Sequence, residues 1–225
     1  MWCKVNAEVL TNLVNKQIER FFVCEGIEVS KVTLETVKKA LDRLEHCFYK
    51  ISSNYFWKDN EPAFKIEHTV QYSIFLYMLS NELYKEKNDE GASYVYYLNK
   101  ALHSVDWFYA IDLPEHFCAE HPVGSVLGRA VYGDYFFIYQ GATVGGNRKK
   151  GILRYPTIGN NVIMYANSTI LGDSHIGNNV IISANTYIKD EVIPDNCIVF
   201  GQSPNLVIKH KDEAEIMMFN HVWKF

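Results

Sequence analysis

The sequence predicts an α+β protein: an α-helical amino-terminal domain, a parallel β-helix wound from six-residue repeats, and a short carboxy-terminal tail. Three observations predict it. Up to about residue 105 apolar residues recur at helical spacing, as in Val32, Leu34, Val37, Leu41, Leu44 and Phe48, with charges between them. From about residue 122 to 208 the texture changes to short β-rich runs punctuated by Gly, Asn and Asp. Within that stretch Thr157 to Ser174 and His175 to Val192 are two 18-residue blocks that agree at nine positions. The boundaries that follow are 1–105 for the helical domain, 106–208 for the β-helix and 209–225 for the tail.

In the first half, helices are expected over 5–23, 32–48, 65–87 and 91–104. Their punctuation is Gly26, the turn signal Asp59-Asn60-Glu61-Pro62, and Asn88 to Gly91. The Tyr and Phe of this half are expected in the core or against a partner helix. In the second half Ile158, Met164, Ile170, Ile176, Ile182 and Ile188 fall six apart. Upstream, Tyr132, Ile138 and Val144 keep that spacing, with Leu127 one residue out of step. Small or β-branched residues follow four positions later: Val162, Ser168, Ser174, Val180, Thr186 and Val192. A chain making three short strands and three corners per 18-residue coil points one aliphatic inward per strand, and the coils stack by parallel pairing. The Gly-Asn, Ala-Asn and Gly-Asp pairs supply corners, where a positive φ is least costly. A β-sandwich would alternate with period two and would not hold a six-residue register.

Between Val144 and Ile158 the register carries eight extra residues, in Gly145 to Pro156. Insertions in solenoids become loops on one face, so this basic, glycine-rich segment is a solvated turn or a lid.

With 225 residues, 48% hydrophobic and 21% charged, the chain can bury a substantial core. A net charge of −4 and a pI near 6.1 exclude a general attraction for nucleic acid or an anionic membrane, and neither is expected as a partner. The cysteines Cys3, Cys24, Cys47, Cys118 and Cys197 are odd in number and form no C-x-x-C pair, which suits reduced thiols in a cytoplasm. No stretch approaches a membrane span, and the first residues lack the basic-then-apolar order of a secretion signal. A soluble cytoplasmic protein is expected.

The segments VDWFYAIDLPEHFCAEHPVGSVLG, YQGATVGG, LRYPTIGNNV and ANSTILGDSHIGNNVIISANTYI, after a helical half, resemble the serine acetyltransferase group of the hexapeptide-repeat acyltransferases over residues 105 to 208. The resemblance implies a left-handed β-helix and acetyl-CoA as co-substrate. It also implies direct transfer to a hydroxyl of a small acceptor (L-serine, a sugar or another alcohol), and a homotrimer that can pair into a dimer of trimers.

Taking a hydroxyl proton calls for a base, and histidine suits neutral pH. His46, His68 and His103 lie in expected helices, His210 and His221 in the tail, and His175 at a corner. His121 matches the position of the family's catalytic histidine, and Asp106, fifteen residues earlier, that of the aspartate holding it. Asp112 is the rival carboxylate. On the acceptor side the resemblance assigns Glu120 and Glu61 to the substrate amine and Arg154 to a carboxylate. Tyr155 departs from the family's histidine, which leaves the acceptor open. On the donor side it assigns Gly145 and Gly146, Arg148, Lys149 or Lys150 near phosphate, and Gly201, Pro204 and Lys209. Ala166 and Ala184, stacked 18 residues apart, form a small-residue stripe that leaves room for pantetheine; as plain corner residues they would look the same.

No metal is expected, because zinc on this fold takes three histidines and the repeats hold only His175. The tail reads as a short amphipathic segment packing on the helix. Ending in Trp223-Lys224-Phe225, it lacks the isoleucine with which the family docks its cysteine-synthase partner, so that complex is not expected. Two rival functions remain: N-acetylation of an amino-sugar nucleotide, and a non-catalytic repeat scaffold.

Overall fold

The computed structural model describes residues 1–22, 31–212 and 221–225, in two compact units: residues 1–49 with 53–110, and residues 50–52 with 111–225. Cys24, Gly26 and residues 213–220 of the expected tail lie outside the described residues.

The first unit runs β1 (Trp2–Cys3), α1 (Ala7–Phe22), α2 (Leu34–Phe48), β2 (Trp57–Lys58), β3 (Glu61–Phe64), α3 (Thr69–Lys85), α4 (Asp89–His103) and β4 (Asp106–Trp107). Caps set the helix starts. Thr33 accepts from the Thr36 amide at 3.2 Å and Asn88 from the Gly91 amide at 2.9 Å. The third helix begins later than the apolar pattern suggests, because His68 closes a turn onto the Lys65 carbonyl at 3.0 Å and caps from outside. Its residues Ile74 to Leu79 are all buried, so α3 is the central helix, and its sequence is apolar all round instead of along one stripe. The polar residues it buries find partners, as Asn81 does by donating to the Tyr109 carbonyl at 2.9 Å. The turn signal at 59–62 makes a hairpin: Asp59 (φ 51°) and Asn60 (φ 64°) join β2 to β3, with Lys58 opposite Glu61.

The second unit is the left-handed β-helix. Its first coil holds β5 (Phe117–Ala119), β6 (Val126–Leu127) and β7 (Val131–Tyr132). The second holds β8 (Phe136–Ile138), β9 (Thr143–Gly145), an inserted hairpin of β10 (Asn147–Lys149) and β11 (Ile152–Arg154), and β12 (Thr157–Ile158). The third has β13 (Val162–Met164), β14 (Thr169–Leu171) and β15 (His175–Ile176). The fourth has β16 (Val180–Ile182), β17 (Tyr187–Lys189) and β18 (Val192–Ile193), and β19 (Cys197–Gln202) with antiparallel β20 (Asn205–His210) closes the stack.

Parallel ladders run up the three faces: Phe117–Phe136–Val162–Val180–Cys197, Val126–Thr143–Thr169–Tyr187, and Val131–Thr157–His175–Val192. The six-apart aliphatics fill the core, with Ile138, Met164 and Ile182 stacked on one face and Val144, Ile170 and Ile188 on the next, all fully buried. Ser168 and Ser174 are buried too, each donating to the carbonyl three residues back at 2.7 Å. Corners adopt the left-handed conformation at Asn161, Asn167, Asn179, Asn185 and Asn196, and their side chains bond coil to coil, as in Asn161 to Asn179 and Asn179 to Asn196 at 2.8 Å.

Val192 is 74% exposed, because its coil is one residue short: His175 pairs Val192, 17 positions on, where Thr157 pairs His175 at 18. Val192 thus takes the outward place of His175 and Ile193 the inward place of Ile176. The described end of the tail, 221–225, packs on the β-helix and the 50–52 segment. Trp223 bridges Ile51, Lys224 donates to the Lys50 carbonyl at 2.7 Å, and the Trp223 ring meets Tyr135 at 5.5 Å and Phe137 at 6.1 Å.

Candidate active site

Register alone gathers one corner of the β-helix. Ala119 pairs Ile138, Ile138 pairs Met164, Met164 pairs Ile182 and Ile182 pairs Val199. Two positions beyond each lie His121, Gln140, Ala166, Ala184 and Gly201, the last four in a single column in which Asn167 bonds the Gln140 carbonyl at 2.8 Å and Asn185 the Ala166 carbonyl at 2.9 Å. At the foot of this column the equivalent bond runs from the Gly141 amide to the Val123 carbonyl at 3.0 Å, so Val123 lies below Gln140 and His121 stands beside it in the longer first corner.

The His121 corner is built differently from those above it. From Ala119 to Val126 is seven positions, whereas their partners Ile138 and Thr143 are five apart, so the first corner is two residues longer. His121 has a φ of 49°, its carbonyl accepts from Val123 at 2.7 Å, and the Pro122 carbonyl takes both the amide and the hydroxyl of Ser125. Its side chain is 78% exposed, with a carboxylate oxygen of Glu120 3.9 Å from Nε2. Behind Glu120 stands Tyr139. Burial, and then the charge and hydrogen bond of Glu120, push the Tyr139 phenol above its ordinary value. Its ring stacks on Tyr165 at 5.0 Å, with 5° between the planes, and packs on Phe137 at 5.3 Å.

The insertion holds the other acceptor candidates. Thr157 pairs Val131, 26 positions back, against 18 for the coil above, which confirms eight extra residues. They form a hairpin, closed by Lys150 (φ 49°) and Gly151 (φ 80°), with Lys149 opposite Ile152. Lys149 reaches back to Asp190 at 3.6 Å, and Arg148 donates to the Gly151 carbonyl at 3.2 Å. Arg154 is exposed at the end of β11. Tyr155 packs on Gly146: a Cβ there would lie 2.8 Å from the ring, so only glycine admits this phenol. Gly145, in β9, lies against Leu171. Gly201 (φ 87°) pairs Leu206 across the β19–β20 hairpin, where Lys209 holds its ammonium 5.5 Å from the Phe200 ring; Pro204 sits in the turn.

Asp106 and Glu61 belong to the helical unit. Asp106 takes the Tyr96 hydroxyl on one oxygen and the Lys100 ammonium on the other at 2.5 Å. Burial pushes its carboxyl up, but Lys100 and Tyr96 outweigh that and hold it below its ordinary value. Glu61 stands 3.7 Å from the amino-terminal ammonium of Met1.

One histidine escapes the spacing argument. His116 is buried, its Nδ1 2.7 Å from Asp134, whose other oxygen accepts the His116 amide, and its ring stacks on Tyr135 at 4.6 Å. The signal was available: Asp134 follows His116 by 18 residues, one coil. With His116 buried under Tyr135 and Asp134 partly exposed, this pair bonds the first coil to the second. Among the described residues no three His, Cys, Asp or Glu side chains group as metal ligands, and no helix is long and apolar enough to cross a membrane.

A family profile described as Bacterial transferase hexapeptide (six repeats) matches residues 155–190. A serine acetyltransferase of Synechococcus elongatus is 32% identical over 130 residues, 57% of this chain and 53% of that protein, and one of Synechocystis is 46% identical over 55 residues, 24% and 22%. This chain spans about half the length, or less, of the curated relatives it matches. Among solved structures, a serine acetyltransferase in complex with cysteine superposes with a TM-score of 0.71 at 19% identity, over 99% of this chain and 86% of that one. That of Neisseria gonorrhoeae gives 0.68 at 21%, over 93% and 82%. A serine acetyltransferase in complex with CoA gives 0.66 at 18%, over 90% and 84%. These likenesses establish the fold, helical unit and β-helix together.

Proposed function

We propose that this chain is an acetyl-CoA-dependent O-acetyltransferase of the serine acetyltransferase kind, acting on a small alcohol. The observation that carries the reading is the corner column: a solvent-accessible imidazole beside its foot, and alanine and glycine above it where a narrow thioester arm can lie. The relatives named serine acetyltransferase and the neighbour solved with CoA support the same donor.

His121 takes the acceptor's hydroxyl proton as oxygen attacks the thioester carbonyl, and returns it to the departing CoA thiolate. Asp106 orients that imidazole; its carboxylate already holds two donors and keeps lone pairs for a third. Glu120 and Arg154, with Glu61, bind the charged groups of the acceptor, and Tyr155 bounds its pocket. Gly145, Gly146, Ala166, Ala184, Gly201 and Lys209 line the path of CoA. The exposed Ile152, Leu153 and Tyr155 of the hairpin, with Val131 and Val192, support assembly as a homotrimer or a dimer of trimers.

Release of free CoA thiol from acetyl-CoA, followed with L-serine and a panel of other alcohols and amines, tests the reading. Acceptor-dependent release is the expected result; CoA binding with no acceptor turnover would overturn it in favour of a scaffold.

A further inference from the structure

We infer that Tyr96 and Lys100 of α4 are positioning residues for the transfer: they hold the Asp106 carboxylate in one orientation, and through it they act on His121. This rests on the O-acetyltransferase reading, in which Asp106 orients that imidazole, and adds two residues that the family resemblance does not assign.

Tyr96 and Lys100 stand four residues apart on α4, so both project from one side of the helix. The helix ends at Ser104, whose left-handed φ of 55° and amide bond to the Lys100 carbonyl at 3.0 Å turn the chain back, and Asp106 follows two residues later. The carboxylate then lies between the two side chains: Oδ1 accepts the Tyr96 hydroxyl, and Oδ2 the Lys100 ammonium at 2.5 Å. That ammonium also stands 5.8 Å from the centre of the Tyr96 ring, so the three groups meet one another. The ring is walled in by Tyr97 at 4.9 Å, Tyr109 at 5.8 Å and Phe108 at 6.2 Å. A carboxylate with one donor swings about its last torsion, which is broad; with a different donor on each oxygen it keeps one orientation. Lys100 is 46% exposed and Asp106 33%, a setting in which an ion pair adds little to stability, so what the arrangement supplies is direction and charge.

The two donors act differently. Tyr96 gives direction: burial, and then the Asp106 carboxylate, disfavour its phenolate, so it stays protonated and keeps its hydrogen on Oδ1. Lys100 gives charge: burial works against the ionised carboxylate, and Lys100 with Tyr96 outweighs it, so Asp106 stays an anion. The same ammonium offsets part of the field that this anion lends to His121, which makes the imidazole a weaker base than Asp106 alone would. The charged groups at the carboxylate are Lys100 and Asp106 itself, with Tyr96, Tyr97 and Tyr109 as titratable neighbours; beside His121 stands Glu120.

The test measures kcat, both KM values and the pH dependence of kcat/KM in wild type, Tyr96→Phe, Lys100→Met, Lys100→Arg and Asp106→Asn. Tyr96→Phe keeps the ring and deletes one hydrogen bond to a charged group, so kcat should fall roughly tenfold while the KM for acceptor and for acetyl-CoA each change by less than about threefold. Lys100→Met keeps the apolar stem and removes the charge, so the acid limb of kcat/KM should move to higher pH, and Lys100→Arg should return it toward the wild-type position. In a wild type that turns over, an unchanged kcat in Tyr96→Phe, an unmoved acid limb in Lys100→Met, or full turnover in Asp106→Asn overturns this inference and leaves the O-acetyltransferase reading standing. A wild type that transfers acetyl to no acceptor overturns that reading and the inference with it. A readout without turnover checks the contact: in protein carrying 13C at the tyrosine ring carbons, with Tyr96 assigned by its loss in Tyr96→Phe, Asp106→Asn should shift the Tyr96 resonance at neutral pH. An unmoved resonance means that the hydroxyl does not bind the carboxylate and overturns the inference.

Discussion

At His121 the backbone is held far more tightly than the ring. The left-handed φ of 49°, the bond from Val123 and the following Pro122 fix where the side chain starts, while the imidazole itself projects into solvent. Asparagine tolerates that backbone better than alanine does, which makes His121→Asn the cleaner substitution. It should lower turnover by roughly 10²–10⁴-fold, the usual share of a positioned general base, and leave thermal unfolding within the small range of surface changes. Steady-state rates beside a melting curve check both halves. The residue scale is also where the sequence was hardest to read. His121 and Asp106 stood out because a repeat and a family pattern flank them, but His116 lay at a spacing of one coil from Asp134 and was passed over. One missing corner residue near Glu191 shifts the spacing from 18 to 17, and the next strand keeps that spacing, Val180 pairing Cys197.

Among the elements, α4 carries a titration of its own. His103, at the end of that helix, pairs Asn99 at 2.8 Å and faces the edge of Tyr72. Burial drives its pKa down from 6.5 to about 4. Because the folded value is the lower one, the unfolded chain binds more protons between those limits. Stability is then full above pH 6.5 and falls as pH drops toward 4, by roughly 1–3 kcal/mol once solvent screening of the partly exposed ring is allowed for. Denaturant midpoints measured across that window should slope in the wild type and flatten in His103→Gln. The hairpin of β10 and β11 is the second separable element. Its eight-residue excess over the register means that removing Asn147 to Arg154 restores an ordinary coil. The shortened protein should keep a cooperative transition and lose acceptor turnover with Arg154. The ladders below it tolerate less: Ile170→Ala empties a fully buried site and should destabilise the β-helix by about 2–5 kcal/mol, read from the shift in denaturant midpoint. The sequence announced the insertion by length alone. That it is a hairpin required the Lys150-Gly151 turn, in which both residues carry positive φ, to be seen as Asp59-Asn60 was.

For the whole molecule, the two halves were legible for different reasons. Helices α1, α2 and α4 declared themselves by period and α3 by an unbroken apolar run; caps then moved the starts of α2 and α3 inward, to Leu34 and Thr69, and that of α4 outward to Asp89. The β-helix declared itself by identity between coils, since every position must satisfy the same corner, strand and core in each turn. What the sequence could not give was the path of the tail end, because a Trp223 that bridges Ile51 is a pairing across the chain that no local period records. Exposed Ile152, Leu153, Val131 and Val192 give the β-helix an apolar exterior that a trimer would cover. Light scattering on the eluting protein should therefore read about 78 kDa, three chains of 26.0 kDa, or twice that for paired trimers. A single 26.0 kDa species at micromolar concentration would contradict the assembly.

The central claim is that His121, beside the foot of the corner column, deprotonates an acceptor hydroxyl for transfer from acetyl-CoA. One measurement tests it most directly: acceptor-dependent release of CoA thiol by the wild type and by His121→Asn, at saturating acetyl-CoA and matched folded concentration. The account predicts turnover by the wild type and a loss of at least about a hundredfold in the variant, the lower end for a general base. Equal turnover by both proteins would contradict it.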